Sequence, residues 1–120
     1  MHNFKRLVVW RRSMILTRQC YDLTRGFPNL ERYGLSSQIQ RSTVSIPAYI
    51  AEGAGRASNK AFVRFLRVAH GSACKLETQL LVAGDLGYSP QTQVDPITKE
   101  TAEVRRMIFA LSESVLSDTS

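Results

Sequence analysis

The chain has 120 residues, with 16 Lys and Arg against 10 Asp and Glu and a formal net charge of +6. That length suits one domain burying about 65% of the surface its unfolded chain exposes, so neither disulfides nor a structural metal are required. Cys20 and Cys74 form no C-x-x-C and have only His2 and His70 as imidazole company, which points to reduced thiols in a cytoplasmic protein, and no apolar run approaches the roughly 20 residues of a membrane span.

The opening FKRLVVWRRSMIL imitates an Arg-rich transit peptide or a membrane-surface helix, but it runs unbroken into a first helical pattern over about residues 8–25, ended by Gly26 and Pro28. At 100° per residue this helix carries two apolar stripes: Leu7, Trp10, Met14 and Tyr21 on one side, and Val9, Leu16, Cys20 and Leu23 nearly opposite. A monomeric bundle needs only one of them. Periodicity does not say which stripe faces the core. Val9, Leu16, Cys20 and Leu23 are the candidate oligomer interface, because a second stripe left in water costs about 25 cal/mol per Å².

The second helix spans about residues 36–54, with Ser36 as N-cap and Leu35, Ile39, Ile46 and Ile50 in phase. Pro47 lies inside it, removing one backbone donor and pressing on the Thr43 carbonyl at a cost on the order of 3 kcal/mol. The apolar phase passes through the proline unchanged, so the expectation is a kinked but continuous helix. Ser42, Thr43 and Ser45 are near enough to help satisfy the freed groups. Ala48, Ala51, Gly53, Ala54 and Gly55 form a thin-walled end that another helix can approach. The next stretch, EGAGRASNK, shares only Gly-x-Gly with a phosphate loop; it reads as a glycine C-cap and short turn, with Glu52 and Arg56 spaced for a helical ion pair.

A third helix over about 59–85 carries Phe62, Leu66, Ala69, Ala73, Leu76, Leu80 and Ala83 in alternating steps of four and three. A fourth, over about 96–116, opens at Asp95 with Pro96 in its first position, and Ile97, Val104, Ile108, Leu111 and Val115 supply its stripe. The connecting segments GFPNLERYG and YSPQTQVD are the expected mobile parts. No segment alternates as a strand does. The expected fold is all-α, an antiparallel up-down-up-down four-helix bundle forming a single domain over residues 1–120.

Charge is unevenly spread: residues 1–75 hold 13 basic and 3 acidic side chains, residues 76–120 hold 3 and 7, and twelve of the cations are arginine. In such a bundle the helix 1 start, helix 2 end, helix 3 start and helix 4 end share a pole. It collects Lys5, Arg6, Arg11, Arg12, Arg56, Lys60, Arg64 and Arg67 against Glu52, Glu113 and Asp118. Guanidinium forks suit phosphate oxygens, so these eight are the candidate nucleic-acid contacts, for RNA or DNA. Catalytic groups are scarce. His2 is placed on a frayed terminus, His70 beside the Ala69 stripe reads as structural, and Glu77 and Gln79 read as polar edges of the core or of an interface. The expectation is a non-enzymatic protein without cofactor, metal, small-molecule substrate or membrane partner.

Trp10, FP at 27–28, Glu31, YGL at 33–35, QIQRS at 38–42, SIPAYIAEGAGR at 45–56, FVRFLRVAHGS at 62–72 and LETQL at 76–80 resemble the bacterial four-helix-bundle family of 23S rRNA intervening-sequence proteins. The resemblance implies an antiparallel bundle assembled as a homopentamer. It also implies kinship with the accessory variability-determinant proteins of diversity-generating retroelements, which bind nucleic acid and assist a reverse transcriptase. Tyr49 replaces the asparagine usual after SIPA, and Lys75 the acidic residue usual before LETQL. The leading expectation is therefore a homo-oligomeric nucleic-acid-binding accessory protein. Its rival is a protein-protein scaffold docking a partner such as a polymerase or reverse transcriptase.

Overall fold

Helix 3 sets the axis of the molecule, because Phe62, Leu66, Ala69, Ala73, Leu76 and Leu80 are all buried along one side of it. The computed structural model describes residues 1–118 as four helices: α1 (Val8–Thr24), α2 (Leu35–Ala54), α3 (Asn59–Asp85) and α4 (Gln91–Ser117), with no strand among the described residues. Short 3-10 turns at Phe4–Arg6 and Asn29–Glu31 precede α1 and α2. Each helix packs on its successor and α1 closes the ring on α4, leaving α1 and α3 diagonal in a body of 48 × 22 × 20 Å.

Pro47 sits inside a continuous, buried α2, as the unbroken apolar phase requires. The carbonyl it strands is answered from another helix. Thr17 Oγ1 of α1 lies 3.1 Å from Thr43 O and 2.9 Å from Ser13 O, and accepts from Thr43 Oγ1 at 3.3 Å. Ser45 Oγ meanwhile donates to Ser42 O at 2.7 Å. None of the local hydroxyls singled out in the sequence reaches the Thr43 carbonyl; the hydroxyl that does is Thr17 of α1, whose one proton is shared between Thr43 O and Ser13 O.

The thin-walled end of α2 is used as expected. A Cβ on Gly53 would lie 2.7 Å from Phe65 Cβ and 3.0 Å from a Phe62 ring carbon, so only glycine lets α3 approach this closely. Gly55 to Ser58 make the turn, and the Ser58 side chain accepts from Ala61 N at 3.1 Å, capping α3 itself. A phosphate loop is thereby excluded in favour of the short αα-turn.

Helix α4 departs from expectation. It begins at Gln91, with Pro90 rather than Pro96 ahead of its first turn. Pro96 lies in the second turn, where it forfeits only the bond to the Thr92 carbonyl, and both prolines satisfy the local rules. The Gln91 side chain donates to Gly84 O at 3.2 Å and fastens the start of α4 to the end of α3. Gly87, at φ 74°, supplies the left-handed residue of the turn between them.

Both connections expected to be mobile are tied down at the pole opposite the α2–α3 turn. Phe27 is buried against Tyr88, and Glu31 takes the Leu35 N–H at 2.9 Å and the Tyr88 hydroxyl at 2.7 Å. Donation by the Leu35 N–H, and secondarily by Tyr88, holds the Glu31 carboxyl below the usual carboxylate range. The lowered pKa means that this stabilisation is present above the ordinary glutamate pKa and is lost as pH falls through the folded value.

Two outcomes are expected. Thr17→Val should lower stability in urea unfolding by about 1–2 kcal/mol, and by clearly less in a Pro47→Ala background, where residue 47 regains an N–H for Thr43 O; equal losses in both backgrounds would show that Thr17 does not serve that carbonyl. Glu31→Gln should flatten the fall of Tm on acidification relative to the wild-type chain, and a parallel fall would remove Glu31 from the account.

Candidate nucleic-acid interface

The chain start folds back over the α2–α3 turn instead of fraying. His2 N donates to Ala54 O at 2.7 Å, its ring rests 4.8 Å from that of Phe62, and Nε2 lies 3.4 Å from the Asn59 side-chain oxygen. This contact brings the turn bearing Lys5 and Arg6 to the same pole as Lys60 and Arg64.

The eight predicted cations then divide. Arg12 is committed to α4: its Nε and a terminal nitrogen meet the two Glu100 oxygens at 2.9 and 2.6 Å, and the other terminal nitrogen lies 3.1 Å from Met107 Sδ. Hydrogen bonding to Glu100 raises the Arg12 pKa further. Arg12 is therefore a clasp between α1 and α4, not a free contact. Arg56 pairs with Glu52 at 2.9 Å, as the sequence spacing predicted, and its guanidinium sits 4.8 Å from the Phe65 ring centre. Lys5, Arg6, Arg11, Lys60, Arg64 and Arg67 are exposed and enter no ion pair among the described residues.

Arg11 stands on α1, diagonal to the α3 row, and its guanidinium turns back to donate to the Lys5 carbonyl at 3.2 Å. The α3 trio recurs at i, i+4 and i+7 and rims an open groove of about 550 Å³ floored by Val63, Val68 and Leu116. Beside it Phe65 is an aromatic hub, with Arg64 5.7 Å from its centre and Tyr49 stacked on it at 6.4 Å and 25°.

A second concavity was missed in the sequence. An open groove of about 980 Å³ runs between α2 and α3, with Gln38, Arg41, Ser42, Ser45 and Tyr49 on one wall and Gly71, Ser72, Lys75 and Gln79 on the other. Gly71 lies in the middle of a 27-residue helix, where glycine costs about 0.5–1 kcal/mol relative to alanine, yet no atom lies within 4 Å of its missing Cβ. Nothing inside the chain asks for glycine there. Gln79 Oε1 is shielded from solvent and no protein group reaches it, a state that costs about 1–3 kcal/mol. The sequence signal was a glycine four residues after Arg67 and four before Lys75, opposite the core stripe.

The interface assigned to Val9, Leu16, Cys20 and Leu23 is corrected: all four are buried in the core of this one chain. Cys20 lies against Thr43, whereas Trp10 stays at the rim, edge-on to Phe4 at 5.1 Å. The outward face of α1 instead exposes Val8, Met14, Ile15 and Tyr21. Burial also pushes the Cys20 thiol up to about 11, while Cys74 is exposed with Sγ 3.8 Å from His70 Nδ1. Glu77 ties α3 to α4 through Arg105 at 2.8 Å, as a polar edge of the core should. Among the described residues no group of His, Cys, Asp or Glu is placed to hold a metal, and no helix is long and apolar enough to cross a membrane.

No curated protein matches the chain. A solved structure does: a protein of unknown function from the S23 ribosomal protein family of Bacteroides thetaiotaomicron VPI-5482, 24% identical, with a TM-score of 0.81 over 88% of this chain and 98% of that one. At that identity the likeness speaks for the helical fold. The profile described as "23S rRNA-intervening sequence protein" matches residues 5–110, nearly the whole bundle. The chain therefore belongs to the 23S rRNA-intervening sequence protein family.

Proposed function

We propose that this protein is a non-enzymatic nucleic-acid-binding accessory protein of the cytoplasm, working as a homo-oligomer. The observation that carries the reading is the row Lys60, Arg64 and Arg67. The arginines facing acids, Arg12, Arg105 and Arg106, are all paired, whereas this row stands unneutralised on the rim of a groove. Unpaired cations at helical spacing beside an aromatic hub suit a phosphodiester backbone with bases nearby. Lys5, Arg6 and Arg11 extend the field around the pole, and assembly of several copies would multiply it.

A homopentamer is part of the proposal, supported by the apolar side chains that the outer face of α1 leaves exposed. Kinship of the family with the accessory proteins of diversity-generating retroelements, which the sequence motifs imply, would fit the same role. A second reading, a scaffold docking a polymerase or reverse transcriptase, is favoured by Leu30 and Tyr33, which are 95% and 86% exposed at the opposite pole.

If each chain neutralises Z phosphates, log affinity should fall with log salt at a slope near −0.9Z on duplex DNA or about −0.7Z on single strands. Arg64→Glu with Arg67→Glu should weaken binding and flatten that slope by roughly 1 per arginine at unchanged assembly mass; salt-insensitive binding, or none by the wild type at low salt, defeats the reading. Light scattering should give five times the 13.5 kDa chain mass, and Ile15→Glu should shift it to smaller species; a monomeric wild type would remove the pentamer.

A further inference from the structure

We propose that the groove between α2 and α3 is a track for a single nucleic-acid strand, entered from the Lys60, Arg64 and Arg67 end. The inference rests on the nucleic-acid reading above and adds the form of nucleic acid and its path. Val68 borders both grooves. On α3 the residues Lys60, Arg64, Arg67, Gly71, Lys75 and Gln79 fall within an arc of about 120°, and at 1.5 Å per residue they run for about 29 Å along the helix. Arg41 stands on the facing wall, and neither it nor Lys75 has an ion-pair partner among the described residues.

Each peculiarity of the groove has a counterpart in a strand. Unpaired cations along its length meet a charge that repeats at every nucleotide. The Tyr49 ring, half-buried and stacked on Phe65 at the near end, offers a platform for a base. Such a platform is open to an unpaired base and not to one stacked inside a duplex. Gly71, on the α3 wall, leaves open space where a larger side chain would stand beside the path. A second copy of this chain fits the groove less well, because Arg41 and Lys75 would be covered without phosphate.

The test uses the full chain, a fluorescein-labelled single-stranded oligonucleotide and the duplex of the same sequence, by anisotropy at low ionic strength. Gly71→Leu changes no charge and has open space around it, so its thermal melt should be at or above that of the wild type. It should weaken single-strand binding by about tenfold or more while leaving duplex binding within about twofold. Lys75→Glu should repeat the effect and flatten the salt slope on the single strand. Arg64→Glu with Arg67→Glu should weaken both forms. Single-strand binding by Gly71→Leu at wild-type affinity overturns the track, as does a change in assembly mass on that substitution, which would place a second copy in the groove. If only the arginine variants lose binding, the track falls and the broader reading stands; if the wild type binds neither form, both fall.

Discussion

A proline in the middle of a buried helix leaves one carbonyl without its donor, and the bundle is arranged so that a different helix supplies the hydrogen bond. Thr17 of α1 reaches Thr43 O of α2, and Thr43 returns its own hydroxyl to Thr17. Two helices that share such a contact cannot slide past one another without burying an unpaired carbonyl. The register this sets runs through neighbouring contacts: Cys20 packs close to Thr43, and Arg12, five residues before Thr17, meets Glu100 across the α1–α4 seam. At the end of α2, Gly53 lets Phe62 and Phe65 close on the backbone. The aromatic hub and the arginines around it stand on that close approach.

The distribution of ion pairs follows from the order of charges along the chain. Two of the acidic side chains gathered in α4 and late α3 are paired at seams, Glu100 with Arg12 and Glu77 with Arg105, while Glu103 pairs with Arg106 along α4 itself. The cations of early α3 form no ion pair among the described residues and face solvent. Half-buried seam pairs contribute geometry more than stability, since desolvation offsets much of the attraction. The surplus of arginine in the first half of the sequence thus emerges as an unneutralised row on one helix.

Much of the fold was legible because periodicity reports burial directly. The α3 stripe, the continuity of α2 through Pro47 and the turn at Gly55 to Ser58 all follow from spacing within a few residues. What failed to read required knowledge of contacts across the fold. The two stripes of α1 are about equally apolar, and only packing against α2 and α4 selects Val9, Leu16, Cys20 and Leu23 for the interior. Pro90 and Pro96 both suit a first helical turn, so local rules alone could not place the start of α4. Arg12 seemed free because its partner is 88 residues away. The shared pole follows from topology, but the diagonal placement of α1 and α3, which puts its cations on two helices that do not pack on each other, depends on how the ring of helices closes.

The two thiols divide by environment. Cys20 is sealed inside the bundle with its proton held well above neutral pH, whereas Cys74 lies on the outer surface of α3 among the residues that separate the cation row from α4. A maleimide dye or spin label applied to the folded, unmodified chain would thus mark one position only, beside the row of cations. The native molecule already carries its own addressable reporter for whatever occupies that face.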